Sequence, residues 1–302
     1  MSSGSDASGR IFDLGFRRYE GPREGRRRAM LALYKDGLRA AMGLGRGGRA
    51  KIVPWLFVWA SLLPAFFLAL AAGAVDRLAA DFDPADDLPS HADFYSISSI
   101  VLLVFSALVG AELFCPDRRS GVISLYLVRP LRASEYAVSR WLALFTTMLA
   151  AAWLPQLVLL AGLVLGASDP GGYLADNWLD IPRFLLAGLV LAAYFAALAG
   201  LVASFTTRRA YAAASLVGLF VVSAAVISGV TDSIDRDSGR WLALLSVRDV
   251  PLYVNDLIFG GPRTSGIAAA EDLPGVVSVA WCLAVIGLCF FALMRRYRRL
   301  SV

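Results

Sequence analysis

The feature that most constrains this chain is a set of long apolar blocks that carry almost no charge. Each of six blocks has about 21 to 26 residues, against the roughly 20 that an α-helix needs to cross the hydrocarbon core of a bilayer. Because lipid offers no hydrogen-bond partners to the backbone, such blocks are expected to be helical. The predicted fold class is an all-α membrane protein with six transmembrane helices, at residues 53–75, 94–114, 141–166, 184–205, 210–230 and 274–294.

Composition narrows the class further. The 302 residues are 58% hydrophobic and 18% charged, which argues against a soluble enzyme, a secreted disulfide scaffold and a disordered chain. The three cysteines (Cys115, Cys282 and Cys289) lie in or beside apolar blocks, so we expect no disulfide framework. With His91 as the single histidine, we expect no metal site, no histidine-based catalytic centre and no cofactor in this chain.

The distribution of charge predicts the orientation of the six spans. The N-terminal stretch, the loops after spans two and four and the C-terminal tail together hold 23 Lys and Arg residues, and the other three loops hold 6. Asp and Glu divide 7 against 16 in the opposite sense. The positive-inside rule then predicts a multi-pass protein of the cell inner (plasma) membrane with both termini cytoplasmic. The basic excess thus faces an anionic leaflet, and we expect no nucleic-acid partner.

We expect residues 1–23 to form a cytoplasmic N-terminal tail and residues 24–302 a single transmembrane domain. Between residues 24 and 44, apolar side chains recur every three or four positions, with basic residues and Asp36 on the other faces. This pattern predicts an amphipathic helix at the inner membrane interface, or alternatively one packed on a cytosolic partner. Charges and Pro251 interrupt residues 241–259, which predicts short outer helices, lying flat or re-entrant, rather than a seventh span.

The most informative stretch joins predicted spans two and three. Pro116 is expected to end the second span, and Asp117 to cap a short helix that follows. Pro130 stops that helix, and another is expected to begin at Ser134 or Glu135 and run into the third span. A short helix connected to two spans would transmit movement of a cytosolic partner to the membrane domain. The alternative is that this stretch is a basic loop that faces lipid.

This stretch resembles the first cytoplasmic loop of type-2 ABC exporter permeases, through Pro116-Asp-Arg, Leu125-Tyr-Leu-Val-Arg-Pro and Glu135-Tyr. The N-terminal Arg17-Arg-Tyr-Glu-Gly-Pro-Arg23 is similar to a motif of one bacterial branch of that family. Six spans with both termini inside match the family's layout. One departure is Ser139-Arg140, where the family commonly has Gly-Lys.

The resemblance implies that the chain is the permease subunit of an ATP-driven exporter. A second permease copy would complete the dimer, and a cytosolic ABC ATPase would bind the ATP and Mg. The chain's own lysines, Lys35 and Lys51, do not follow the glycine spacing of a phosphate-binding loop, so we expect no ATPase activity here. The implied ATPase contacts are Asp117, Arg118, Arg119, Gly121, Tyr126, Arg129, Pro130 and Glu135.

Three polar side chains within the predicted spans suggest other roles. Glu112 is the only acidic residue there, and we interpret it as snorkelling to the interface or pairing with Arg118 or Arg119. Proton coupling through Glu112 is the alternative and would make the chain a secondary transporter. Gln156 and Ser106 are candidates for a translocation path, although such groups often join helices instead. A third hypothesis is a membrane assembly protein without transport.

Overall fold

The computed structural model describes residues 25–45, 47–78, 90–123, 126, 131–231, 233, 236–260 and 273–299. Within these residues the chain is helical and forms no strand. The predicted tail at residues 1–23 lies outside the described residues. The helices are α1 (Arg26–Ala41), α2 (Arg49–Leu78), α3 (His91–Arg119), α4 (Ala133–Gly166), α5 (Pro170–Asp176), α6 (Asp180–Ala203), α7 (Arg209–Thr231), α8 (Arg236–Ala243), α9 (Val250–Phe259) and α10 (Gly275–Arg299).

Helices α2, α3, α4, α6, α7 and α10 are each long and apolar enough to cross a membrane. This confirms the prediction of an all-α membrane protein with six spanning helices in the described part of the chain. Helix α4 begins at Ala133, ahead of the apolar block at residues 141–166 and within one residue of the start expected at Ser134 or Glu135. The extension is polar, and its charged side chains are held by contacts described below.

Helices α3 and α6 form the centre of the bundle. In their most apolar stretches, 67% and 61% of the residues are buried, against 17% to 28% in the other four spanning helices. Small residues let the two backbones approach closely: a Cβ added at Gly110 of α3 would lie 3.0 Å from the Cβ of Ala199 in α6. The outer helices turn large apolar side chains away from the core, as expected of surfaces that face lipid.

The amphipathic helix predicted near the N-terminus is confirmed as α1. Its apolar face packs on the chain's own bundle, against α4 and α3. Leu33, Gly37 and Ala41 are buried in that contact, and a Cβ added at Gly37 would lie only 2.6 Å from the Cβ of Ala143. Glycine at this position therefore sets how closely α1 approaches α4.

The prediction that Pro116 ends the second span is wrong. Helix α3 continues through Pro116 to Arg119, so Asp117 lies inside its last turn and is not a helix cap. A proline near a helix end removes one backbone bond but does not prevent the next turn. That turn closes when the Ser120 amide and hydroxyl donate to the Pro116 carbonyl at 2.9 and 2.8 Å, and Gly121 follows with a φ of 70°.

His91 lies ahead of the predicted second span at residues 94–114, yet it belongs to the spanning helix α3. It is the first residue of α3 and is only 5% exposed. Ser90 caps the helix: its hydroxyl accepts from the Asp93 amide, and the Asp93 carboxylate accepts from the Ser90 amide at 3.0 Å. This reciprocal pair is a capping box, which starts the helix ahead of the apolar block.

The interpretation of residues 241–259 as short helices rather than a seventh span is confirmed by α8 and α9. Helix α9 is buried from Val250 to Asp256 and packs against α3, α6 and α10. The Trp281 indole of α10 donates to the Leu244 carbonyl at 2.8 Å and fixes the turn between α8 and α9. These short helices therefore close one end of the bundle.

Candidate functional site at the basic end of the bundle

Four segments that carry much of the basic charge meet at one end of the bundle, which we call the basic end. They are α1, the turn after α3 with the start of α4, the connection at residues 204–208, and the end of α10. Hydrogen bonds and ring contacts join them in pairs. The opposite end carries α5, α8 and α9.

Arg140, in the third turn of α4, lies at the centre of this end. It is 3% exposed. Its Nη1 donates to Oδ2 of Asp36 in α1 at 3.0 Å, and its Nη2 donates to Oδ2 of Asp117 in α3 at 2.7 Å. A buried guanidinium is tolerated only when it is paired in this way. One side chain therefore links α1, α3 and α4, and we call Asp36, Asp117, Tyr136 and Arg140 the Arg140 cluster.

Tyrosine rings extend the Arg140 cluster towards α10. The Tyr136 hydroxyl donates to Oδ2 of Asp117 at 2.6 Å, and the Tyr136 ring lies 5.8 Å from that of Tyr126 and 5.5 Å from that of Tyr297 in α10. Burial first, and then the charge of Asp117, raise the pKa of Tyr126, so its hydroxyl stays protonated. Aromatic packing of this kind stabilises the junction between the loop and the last helix.

Glu135 fastens the start of α4 to the start of α1. Its carboxylate lies 2.8 Å from Nε of Arg26, the first residue of α1. It also accepts from the Arg132 amide at 2.9 Å, which satisfies a backbone donor ahead of α4. Through these two contacts Glu135 links the start of α4 to the start of α1.

Arg118 and Arg296 hold the connection between α6 and α7. Arg118 Nη1 donates to the Ser204 carbonyl and, at 3.3 Å, to the Thr206 carbonyl. Arg296 Nε donates to the same Ser204 carbonyl at 2.7 Å, and its guanidinium lies 4.2 Å from the centre of the Phe205 ring. The ends of α3 and α10 therefore both contact the turn at residues 204–206.

A few residues at this end point outward. Arg119, Ser120, Gly121 and Arg132 are exposed. Arg119 and Ser120 border a shallow pocket of about 360 Å³. Of the predicted ATPase contacts, Asp117, Arg118, Tyr126 and Glu135 hold the loop in place, whereas Arg119 and Gly121 face outward. Arg129 and Pro130 lie outside the described residues.

The ion pair that the structure describes for Glu112 is with Arg209 rather than with the predicted Arg118 or Arg119, and snorkelling of Glu112 to the interface stays a prediction. Glu112 Oε2 lies 2.5 Å from Nη1 of Arg209, at the start of α7. The reason is distance along the helix, because six or seven residues separate Glu112 from the predicted partners by about 10 Å of rise. Arg209 reaches it sideways from a neighbouring helix.

The two predicted path residues are both buried and hydrogen-bonded. Gln156 Oε1 lies 2.5 Å from Nδ1 of His91, and Gln156 Nε2 donates to the His91 carbonyl at 3.0 Å. The Ser106 hydroxyl donates to the Leu103 carbonyl of its own helix at 2.7 Å. In this arrangement both side chains join protein to protein, and a role in translocation stays a prediction.

Sequence reasoning missed the residue that organises this end. Arg140 stood out only as a departure from a family motif, and Asp36 as part of a polar helix face. One signal was present: a charge directly beside an apolar block must find a partner or reach water. Which partner it finds depends on helices more than a hundred residues apart.

In the part of the chain that the structure describes, His, Cys, Asp and Glu side chains form no group of three able to hold a metal ion. No protein-family model matches this chain, and no curated protein matches it. The geometry of the basic end and the motifs of residues 116–136 therefore carry the functional argument.

Proposed function

We propose that this chain is the membrane-spanning permease subunit of an ATP-driven ABC exporter, and that a cytosolic ABC ATPase docks on the basic end. The observation that carries the proposal is the Arg140 cluster. It joins α1, the last turn of α3 and the start of α4 through ion pairs and hydrogen bonds, and the stretch with the family-like motif runs from that turn of α3 into α4. A permease driven by a separate ATPase needs such a connection.

The position of α3 explains how movement of the docked ATPase would be transmitted to the membrane domain. Arg119 and Ser120 are exposed, but Asp117 and Arg118 just before them are tied to α4 and to residues 204–206. Since α3 lies at the centre of the bundle, displacement of its end shifts the helices packed around it. Rigid-body movement of packed helices is a common mode of conformational switching.

The remaining parts of the proposal are the orientation of the chain, the second copy and the binding of nucleotide. The positive-inside rule puts the basic end and both termini in the cytoplasm of the inner (plasma) membrane. A second copy completes the transporter, as the resemblance to type-2 ABC exporter permeases implies. ATP and Mg bind to the partner ATPase. The transported substrate stays open.

Proton-coupled transport through Glu112 is the weaker hypothesis. Secondary transporters place their coupling residues near the bilayer midplane. Glu112 instead lies two turns from the end of α3, in an ion pair with Arg209. This arrangement gives the carboxylate a structural partner at the basic end.

Purification of the tagged chain from its native host in mild detergent tests the proposal. Mass spectrometry is expected to find a near-stoichiometric soluble chain with a phosphate-binding loop. The double variant Arg119→Glu and Arg132→Glu should lose it, because both residues are exposed at the basic end. The matched control Arg183→Glu, at the opposite end, should retain it. A clean preparation without an ATPase, in detergent and in nanodiscs, would contradict the proposal.

A further inference from the structure

A pocket of about 410 Å³ opens between α1, α2, α3 and α7 at the basic end. Its walls are mostly apolar and come from Val53 and Pro54 of α2 and from Phe105, Leu108 and Val109 of α3. Neither the family-like motifs nor the Arg140 cluster accounts for it. The shape of this pocket and the charges on its lining indicate which class of ligand it binds.

The pocket runs along the bundle axis. Helix α3 lines it from Phe105 to Glu112, a distance of about 10 Å along the helix. The floor is buried at Ala41 and Val109, whereas Val53 on the side wall is 45% exposed. The cavity is therefore a slot that opens sideways between α2 and α7, where hydrocarbon surrounds the protein. An acyl chain parallel to the helices fits that shape.

The charged residues that line this slot lie on the side that faces the basic end. Arg49 of α2 and Arg209 of α7 are both exposed lining residues, and Glu112 adds one carboxylate. Two guanidinium groups against one carboxylate leave a net positive charge. Arg209 pairs with Glu112, but it is 54% exposed and carries five N–H donors. It can therefore bind a second acceptor without leaving Glu112.

The ends of two helices add to this positive charge. Helix α2 begins at Arg49 and α7 begins at Arg209, so both direct the positive end of their backbone dipole towards the slot. Basic pockets between spanning helices at this depth bind anionic lipid headgroups. A neutral or cationic headgroup would gain nothing from the same surroundings.

We propose that this slot binds one anionic phospholipid from the leaflet at the basic end. The acyl chain lies against Phe105, Leu108 and Val109, and the phosphate accepts hydrogen bonds from Arg49 and Arg209. The inference goes beyond the proposed transport function and does not depend on an ATPase. It predicts a lipid held between α2 and α7 even in the isolated chain.

Native mass spectrometry of the full chain tests this site. The chain is delipidated in detergent and titrated with dioleoyl phosphatidylglycerol or dioleoyl phosphatidylcholine. We expect one phosphatidylglycerol to bind more tightly than phosphatidylcholine, and Arg49→Gln to weaken it about fivefold, the effect typical of one basic residue near a lipid surface. The control Arg183→Gln, at the opposite end, should bind like the wild type.

Two further variants keep the net charge of the slot unchanged and test its shape and its hydrogen-bond donors. Ala210→Phe, at an exposed lining position, should weaken binding without a change of charge. The paired change Glu112→Gln with Arg209→Gln removes one donor group without leaving a carboxylate unpaired, and should also weaken it. Equal binding of both lipids, wild-type binding by Ala210→Phe, or displacement of the lipid by glycerol 3-phosphate would overturn the proposal.

Discussion

Arg140 donates a hydrogen bond of 3.0 Å to Asp36, and this contact joins a buried charge to a surface one. The Arg140 side chain is 4% exposed, whereas that of Asp36 is 63% exposed. The partner within the bundle is Asp117, 15% exposed and 2.7 Å away. The two ion pairs therefore differ in kind: one neutralises a charge inside the protein, and the other positions α1 on its surface.

The first prediction concerns this difference. Arg140→Gln leaves the Asp117 carboxylate with the Tyr136 hydroxyl as its remaining described side-chain partner, and breaking a buried ion pair typically costs about 3–5 kcal/mol. Asp36→Asn should cost less than about 1 kcal/mol, as for exposed pairs. Thermal unfolding in detergent measures both. Equal losses for these two variants would contradict a cluster centred on Arg140.

The second prediction concerns the approach of α1 to α4. Gly37→Ala should lower the unfolding temperature, because the new Cβ would meet Ala143 at 2.6 Å. Gly218→Ala is the matched control: it lies inside α7 with no atom within 4 Å of an added Cβ, and alanine there should be neutral or stabilise the helix by up to about 1 kcal/mol. Similar behaviour of both variants would show that α1 does not pack as described.

These two predictions show what local sequence patterns can and cannot specify. The number of spanning helices and the apolar face of α1 were predictable, because apolar length and helical periodicity are properties of a short segment. The partners of charged residues were not. Glu112 pairs with Arg209 from another helix, and Arg140 pairs with residues of both α1 and α3.

The positions of the helix ends were the other feature that could not be predicted from the sequence. Pro116 looked like a stop, yet α3 continues past it and ends where Ser120 caps the final turn. His91 looked like a loop residue, yet the capping box of Ser90 and Asp93 brings it into α3. In both cases a local hydrogen bond to the backbone decided the boundary, and hydrophobicity alone does not reveal such bonds.

The third prediction concerns orientation. The three native cysteines are buried, so wild-type background labelling should be low. Ser120→Cys at the basic end should react with a membrane-impermeant maleimide only after permeabilisation, and Asp176→Cys at the opposite end should react in intact cells or spheroplasts. The reverse pattern would contradict the positive-inside assignment.

The fourth prediction separates a structural role of Gln156 from a role in the translocation path. Gln156→Leu removes both hydrogen bonds to His91 and should cost about 1–2 kcal/mol, towards the upper end for interhelical hydrogen bonds in membranes. Ser106→Ala should have little effect, because that hydroxyl bonds its own helix. Unchanged unfolding temperatures with altered transport would instead place both residues on a path.

The most direct test of the central claim is a photo-crosslinker placed at position 120 in native membranes. Ser120 is exposed and directly follows α3, whose last turn is joined to α4 through the Arg140 cluster. We predict a covalent adduct with a soluble chain that carries a phosphate-binding loop, and none when the same crosslinker replaces Asp176 at the opposite end. An ATPase that co-purifies with the chain but crosslinks from position 176, and not from position 120, would contradict the account.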